Sequence, residues 1–275
     1  MKRFLTICAA AVLFAAPLFS SAVELPREDA LILYLAFEEG RGETAADSSP
    51  NNFEAKINGD FKWADGRVGG GVELESGIAV VPDDDRLDVE QLTAMAWVNP
   101  SEIFEGGTCH NWGNMIYQKS GASDDSVEFV LLGGSGACLY LNSGPGGADR
   151  MGPFDGGDVD NSLTLPNLAI QENQWTHMAA TFDGSKMAIY VNGVEAGNKT
   201  INGDNPSIIF NDNDSSIGGR THNSSYFKGL LDEFALFNRA LNETELKQWM
   251  DLSFSVNPLH RAAVTWGMLK TPSGS

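Results

Sequence analysis

Hydrophobic and polar residues alternate along much of the chain with the period of two that is typical of half-buried β-strands. Residues 175–197, WTHMAATFDGSKMAIYVNGVEAG, show the pattern most clearly, because Met187 and Ile189 would share one face while Ala188 and Tyr190 share the other. The dipeptides DG and NG in this segment tolerate the positive φ angles that tight hairpin turns need. The segment therefore predicts an antiparallel meander.

Further short strands are predicted along the rest of the chain, separated by Gly, Asn and Asp and without a βαβ rhythm, which favours an all-β sandwich or jelly roll. They are expected at 30–37, 53–57, 71–75, 78–81, 92–98, 114–119, 127–132, 138–142, 175–182, 186–191, 216–219 and 229–237. One short C-terminal helix is expected where Asn242 and Glu245 have the spacing of a capping box, and it should pack against the outside of the sandwich.

The two ends of the chain differ from this all-β region. Residues 1–22 fit a signal peptide, with Lys2 and Arg3, an apolar run and then small residues, although a buried helix or a membrane anchor shorter than the usual span of about 20 residues is the alternative. Residues 23–251 predict one large domain, and residues 252–275 predict a loose tail or a docking segment. We expect an exported protein, extracellular, at the cell surface or periplasmic, with no membrane span after cleavage.

The chain is strongly acidic, with 18 basic and 37 acidic residues. Loss of Lys2 and Arg3 on cleavage would leave a formal charge of −21, which excludes nucleic acid as a partner. Cleavage would also remove Cys8 and leave Cys109 and Cys138 in an oxidising compartment, where a remaining pair usually bonds. We therefore predict a Cys109–Cys138 disulfide.

Four segments, LYLAFEEGRGETAADSSPNNFEA, WTHMAATFDGSKMAIYVNGVEAG, SIGGR and FKGLLDEFALFNRALNETEL, follow one another along the chain. In this order they resemble the laminin-G-like jelly-roll domains of the concanavalin A-like lectin/glucanase superfamily. The resemblance covers nearly all of residues 23–251. It implies a two-sheet antiparallel jelly-roll sandwich, used as a binding or adhesion module in secreted and cell-surface proteins.

Asp232 and Glu233 interrupt an otherwise apolar strand, and two interpretations compete. In the first, Glu233 faces solvent and Asp232 accepts hydrogen bonds from a turn. In the second, which the resemblance implies, Asp232 joins Asp47 at a structural Ca²⁺ site, to which Asn51 and Asn52 contribute oxygen ligands. Pro50 stands where the family has glycine, so the resemblance supports Asn51 and Asn52 less than Asp47.

Three other acidic runs contain potential metal ligands, but none has EF-hand spacing, and solvated loop charge explains them better. They are Asp83-Asp84-Asp85, residues 155–160 and Asp212-Asn213-Asp214.

Catalytic motifs are not visible in the sequence. The glucanase pattern E-x-D-x-x-E is absent, and Glu73 and Glu75, which share its first spacing, are expected to face solvent. We therefore expect a noncatalytic binding module for a glycan or an extracellular protein. A structural or adhesive surface protein and, third, a cryptic glycoside hydrolase are the alternatives. The aromatic residues considered for a sugar platform are Trp112, Tyr117, Phe154 and Tyr226.

Overall fold

The computed structural model describes residues 28–103, 114–120, 125–132, 136–141, 162–201, 208, 210–221 and 225–254. The predicted signal peptide, Cys109, Trp112, Phe154 and most of the C-terminal tail lie outside the described residues.

Sixteen strands, two short 3-10 helices and one α-helix make up the described part of the chain. In chain order they are η1 (Glu28–Ala30), β1 (Leu31–Leu35), β2 (Thr44–Ala46), β3 (Glu54–Asn58), β4 (Phe61–Asp65), β5 (Gly70–Leu74), β6 (Ile78–Val81), η2 (Asp85–Leu87), β7 (Leu92–Pro100), β8 (Asn114–Ser120), β9 (Asp125–Leu132), β10 (Gly136–Leu141), β11 (Ser162–Leu165), β12 (Thr176–Phe182), β13 (Lys186–Val191), β14 (Val194–Thr200), β15 (Ser215–Ile217), β16 (Gly229–Phe237) and α1 (Glu243–Phe254).

The strands form two eight-stranded antiparallel sheets, as the alternating pattern predicted. Sheet A has the order β14-β13-β12-β7-β16-β5-β4, with β1 pairing β16 near the helix. Sheet B has the order β11-β10-β9-β8-β15-β6-β3-β2. Half of the strand pairs, among them β7–β12, β7–β16 and β8–β15, join strands that are not consecutive along the chain, so loops from widely separated segments meet at the same rim.

The main hydrophobic core lies between the two sheets, where alternate residues of each strand meet. On β13, Met187 and Ile189 enter this core, whereas Ala188 and Tyr190 belong to a second cluster on the outer face of sheet A. The helix covers that second cluster with Leu246 and Trp249. The predicted face assignment of β13 and the predicted position of the helix are both confirmed.

The hairpin turn between β13 and β14 has Asn192 at φ 49° and Gly193 at φ 72°. Two consecutive positive φ angles define the type I′ turn that suits a two-residue hairpin. Asn192 also joins the turn to the neighbouring strand, because its side-chain oxygen accepts a hydrogen bond from the His177 main-chain N–H at 3.0 Å and its own N–H donates to the His177 carbonyl at 2.8 Å.

The helix begins as the capping box predicted. The Asn242 side-chain oxygen accepts hydrogen bonds from the N–H groups of Thr244 and Glu245, at 2.9 Å and 3.1 Å. The Glu245 carboxylate accepts one in return from the Asn242 N–H at 2.9 Å. The helix continues to Phe254 and so extends past the predicted domain end at residue 251.

Candidate functional site

Asp47, the first predicted calcium ligand, is buried and hydrogen-bonded to the protein through both carboxylate oxygens. Oδ1 accepts from the N–H groups of Tyr34 (2.9 Å) and Ser49 (2.8 Å). Oδ2 accepts from the Ser49 hydroxyl (2.7 Å) and the Phe53 N–H (2.9 Å). Each carboxylate oxygen thus accepts two hydrogen bonds from the protein itself. Asp47 therefore stabilises the turn that joins β2 to β3.

Asn51 and Asn52 belong to the same turn. The N–H of Asn52 donates to the Ser49 carbonyl at 3.3 Å, and Asn52 has a φ of 54°, so Pro50 occupies the second position of a turn that suits proline. The Asn51 amide donates to the Ile32 carbonyl at 2.8 Å, and its main-chain oxygen accepts from the Arg86 guanidinium at 3.2 Å. A cationic side chain thus already occupies the neighbourhood of the predicted ligand.

Asp232, the fourth predicted ligand, is fully buried on the outer face of sheet A. Its Oδ2 accepts a hydrogen bond from the Val68 N–H at 2.9 Å, and its Oδ1 has no hydrogen-bond partner among the residues that the structure describes. Burial, and then the neighbouring Glu233 carboxylate, raises the pKa of Asp232 to about 8. Glu233 does not face solvent as the first interpretation expected, because it is only 8% exposed and its carboxylate accepts from the Tyr34 hydroxyl.

The four predicted ligands do not present a common set of free oxygens. Asp47 and Asn51 are engaged by N–H donors and by Arg86, whereas only Asp232 keeps an unpartnered buried oxygen. Within the described residues, no group of three or more His, Cys, Asp or Glu side chains is arranged to hold a metal ion. The donor set seen at Asp47 does not fit a calcium ion, and the calcium site stays a prediction that now depends on Asp232.

An open depression of about 390 Å³ lies at one rim of the sandwich, and its size is within the range of small-ligand sites. We call it the rim depression. It is lined by residues from β1, from the β2–β3 turn, from the segment around η2 and from the residue that follows β16: Ile32, Asn51, Arg86, Asp88, Val89, Glu90 and Asn238. Ile32 and Val89 are buried, whereas Arg86, Glu90 and Asn238 are exposed. The depression therefore combines a small apolar floor with a polar rim.

Contacts with Asp84 and Phe53 fix the orientation of the Arg86 guanidinium at this rim. It forms a two-point ion pair with Asp84, with Nε 2.7 Å from Oδ1 and Nη2 2.7 Å from Oδ2. It also lies over the Phe53 ring, 4.3 Å from the ring centroid. The side chain nevertheless remains 49% exposed. Arg86 thus offers further N–H donors to a ligand from a fixed orientation.

Asp88 connects the rim depression to a buried lysine. Its Oδ1 lies 3.4 Å from Lys119 Nζ, and the Lys119 side chain is only 2% exposed. Burial raises the pKa of Asp88, although the ammonium of Lys119 opposes the shift. Asp83, in one of the acidic runs interpreted as solvated loop charge, also forms an ion pair with Lys119. The Asp83 side chain nevertheless remains 31% exposed, as expected of a solvated loop charge.

A second polar group lies on the outer face of sheet B. Glu128 and Arg220 form an ion pair there, and Gln118 is the cross-strand neighbour of Glu128. Cys138 is buried on the same face in a small apolar cluster with Met115, Val130, Leu132 and Tyr140. Since Cys109 lies outside the described residues, the disulfide stays a prediction.

Of the residues named for catalysis or for a sugar platform, the four that the structure describes, Glu73, Glu75, Tyr117 and Tyr226, do not form a site. Glu75 is exposed and Glu73 pairs with Lys62 at 3.0 Å, so both face outward as expected. Tyr117 is a core residue, 1% exposed, and Tyr226 is half-buried.

Sequence reasoning missed most of the rim depression, because its residues are dispersed over some 200 positions. Of its lining, only Asn51 was singled out, and for a different role. The one sequence feature that could have indicated this site is Arg86, a single basic residue that directly follows the acidic run Asp83-Asp84-Asp85.

Among the residues that the structure describes, no helix has the length and apolar character that crossing a membrane requires.

Comparisons with known proteins agree with this architecture. A relative from Paraclostridium bifermentans, Paraclostridial mosquitocidal protein 1, is 31% identical over 121 residues, which cover 40% of this chain and 9% of the relative. The chain thus spans about a tenth of the length of the curated relative that it matches. The crystal structure of that protein's binding domain superposes with a TM-score of 0.62 at 17% identity, covering 84% of this chain and 54% of that one.

Two further solved structures share the fold. Domain 4 of AbnA, an extracellular arabinanase from Geobacillus stearothermophilus solved in complex with arabinotriose, has a TM-score of 0.58 at 20% identity, covering 80% of this chain and 98% of that one. The binding domain of botulinum neurotoxin DC in complex with SialylT has a TM-score of 0.59 at 14% identity, covering 82% of this chain and 52% of that one. The Laminin_G_3 model, described as concanavalin A-like lectin/glucanases superfamily, matches residues 73–247. The chain therefore belongs to this superfamily.

Proposed function

We propose that the protein is a noncatalytic module that binds carbohydrate, and that the rim depression is the binding site. The observation that carries the proposal is the fixed guanidinium of Arg86 beside a polar rim and a small apolar floor. Polar groups held in place before binding lose little entropy when a ligand is bound, so even a shallow site gains affinity.

The rim matches the chemistry of sugar hydroxyl groups, which both donate and accept hydrogen bonds. Arg86 donates, Asp88 and Glu90 accept, and the Asn238 amide does both. Ile32 and Val89 supply apolar surface for the C–H face of a sugar ring. A ligand with adjacent hydroxyl groups would use these donors and acceptors together.

The charge of the site favours a neutral ligand. Arg86 is already paired with Asp84, and Lys119 faces both Asp83 and Asp88, so the carboxylates at this rim outnumber the cations. The whole chain carries a formal charge of −19. A sialylated or phosphorylated ligand would meet repulsion, whereas a neutral oligosaccharide would not.

The relatives support carbohydrate as the ligand class without naming the ligand. Structures of the same fold were solved with arabinotriose and with SialylT, and another concerns a neurotoxin whose cell entry depends on two ganglioside molecules. These statements belong to those proteins, since all three are less than 25% identical to this chain.

A glycan array followed by isothermal titration calorimetry tests the proposal. Arabinotriose, other neutral oligosaccharides and sialyllactose are the probes. We expect a neutral oligosaccharide to bind and Asn238→Ala to weaken it about tenfold, the value of one lost hydrogen bond. Glu75→Gln, an exposed carboxylate outside the depression, is the matched control. Binding that Asn238→Ala leaves unchanged would move the site elsewhere, and no binding to any probe would contradict the proposal.

A hydrolase is the second candidate, because two carboxylates, Asp88 and Glu90, line the same depression. Burial raises the pKa of Asp88, as a general acid requires. Release of reducing ends from a bound oligosaccharide, lost in both Asp88→Asn and Glu90→Gln, would establish hydrolysis. An oligosaccharide recovered intact after prolonged incubation supports the binding module.

Export, the Cys109–Cys138 disulfide, structural calcium and an adhesive role are further proposals that derive from the sequence. Mass spectrometry of the secreted product would identify the cleavage site and the disulfide. Thermal melting with calcium and with a chelator would test calcium, and Asp232→Asn should abolish any shift that calcium produces. Attachment of the purified protein to cells would support the adhesive role.

A further inference from the structure

We propose that Lys119 is a built-in cation: its ammonium group takes the place of a bound metal ion in joining the two acidic loops beside the rim depression, and so positions Asp88 for the ligand.

The Lys119 ammonium is surrounded by three oxygen atoms. Nζ forms an ion pair with Asp83 Oδ1, lies 3.4 Å from Asp88 Oδ1 and donates to the main-chain oxygen of Asn213 at 3.0 Å. An ammonium group has three N–H donors: two of them go to Asp83 and Asn213, whereas Asp88 Oδ1 lies at ion-pair distance and has no hydrogen-bond partner within the described residues. The lysine side chain is 2% exposed, whereas those of Asp83 and Asp88 are 31% and 20% exposed. The charge is therefore buried, and its partners lie between it and solvent.

These three oxygens come from two loops that are distant in sequence. Asp83 and Asp88 flank η2, and Asn213 lies in the loop before β15. The loops are also joined directly, because the Asp83 N–H donates to Asp214 Oδ1 at 3.0 Å. Lys119 approaches from β8 inside the sandwich, where it pairs with Ser215 and Val127. One side chain therefore fixes both ends of the η2 segment and one point of the second loop.

The electrostatics explain why a cation is needed there. The two loops contribute Asp83, Asp84, Asp85, Asp88, Asp212 and Asp214. Like charges at this density repel unless a counter-ion lies among them, and calcium often serves that purpose in acidic loops. Here the Arg86 guanidinium pairs with Asp84, and the covalently attached ammonium of Lys119 serves Asp83 and Asp88 instead of an ion. We expect the shape of the rim depression to be independent of divalent cations.

The test uses Lys119→Ala, which removes the equivalent of one propylammonium ion, and Lys119→Met, which removes the charge but keeps much of the volume. Breaking a buried ion pair is destabilising, so the melting temperature of the full chain should fall by about 10 °C in both variants. Propylammonium chloride should raise the melting temperature of Lys119→Ala in a concentration-dependent manner. It should not stabilise Lys119→Met, the wild type or Lys62→Ala, the exposed-lysine control.

Three results would overturn the inference. The first is a Lys119→Met protein as stable as the wild type, which would show that the charge is not needed. The second is rescue of Lys119→Ala by 1-propanol as strong as by propylammonium, which would show that only volume matters. The third is a wild-type melting temperature that falls when a chelator is added and returns with calcium, together with no rescue of Lys119→Ala.

If Lys119→Ala does not fold, Asp88→Asn replaces it. Its melting temperature should fall, and an unchanged value would overturn the inference. The positioning of Asp88 for a ligand rests on the proposed function. If the wild type binds no glycan while propylammonium still rescues Lys119→Ala, the built-in cation is supported and the proposed function fails separately.

Discussion

The carboxylate of Glu128 and the guanidinium of Arg220 form an ion pair whose side chains are 0% and 7% exposed. Glu128 lies on β9 and Arg220 follows β15, so the pair spans the intervening strand β8 on the outer face of sheet B. Each charge of a buried ion pair has lost its hydration, and only the other charge compensates for that loss.

Removing one partner should therefore be strongly destabilising. We expect Arg220→Met to lower the free energy of unfolding by about 3–5 kcal/mol, measured by urea denaturation. Lys62→Met is the matched control, since the Lys62–Glu73 pair has side chains that are 68% and 32% exposed, and it should change stability by less than about 1 kcal/mol. Equal effects of the two substitutions would contradict this account of the pair.

His177 should make the protein acid-sensitive. It is 3% exposed, its ring packs edge-on against Trp97, and no atom of the described part of the chain forms a hydrogen bond with its Nδ1. Burial lowers the pKa of His177 to about 3. Between pH about 6.5 and pH about 3, the histidine is protonated in the unfolded chain but neutral in the folded chain. The free energy of unfolding therefore decreases as the pH falls across that interval, by about 1.4 kcal/mol per pH unit.

The measurement is the free energy of unfolding from urea titrations at several pH values between 7 and 4. His177→Gln cannot titrate, so its stability should fall less steeply with decreasing pH than that of the wild type. Parallel curves for the two proteins would show that His177 is protonated equally in the folded and unfolded chains.

Gly193 and Gly184 offer a matched pair of turn positions. Both have a positive φ, 72° and 94°, so alanine at either position should cost about 1 kcal/mol through backbone strain. A Cβ at Gly193 would also lie 2.8 Å from Lys247 Cγ and 2.9 Å from Met250 Sδ in the helix, whereas a Cβ at Gly184 would find no atom closer than 3.7 Å. We expect Gly193→Ala to be the more destabilising substitution in thermal melts. The reverse order would show that α1 does not pack on this turn.

Local pattern was sufficient for most of the fold. The predicted ranges 78–81, 186–191 and 229–237 coincide with β6, β13 and β16, because each has a continuous apolar or alternating run between clear turn residues. The list of predicted strands does not include β4 (FKWAD) or β14 (VEAGNKT), which contain charged residues or glycine. These two strands lie at the two edges of sheet A. Edge strands need fewer apolar residues, so their pattern is weaker.

The candidate site was less predictable than the fold. Asp47 carries the same sequence signal whether it binds an ion or four hydrogen-bond donors, and only the positions of Tyr34, Ser49 and Phe53 distinguish the two. Lys119 appears in the sequence as an ordinary strand lysine. Its role depends on Asp83 and Asn213, which lie 36 and 94 residues away along the chain.

The most direct test of the central claim is a nuclear magnetic resonance titration of the protein with the neutral oligosaccharide that binds best on the array. The account predicts saturable shifts of the side-chain amide signals of Asn51 and Asn238 and of the Arg86 guanidinium, with those of Gln171 and Gln174, far along the chain in the segment before β12, unchanged. Saturable binding that leaves the Asn51, Asn238 and Arg86 signals unmoved would contradict the assignment of the rim depression as the carbohydrate site.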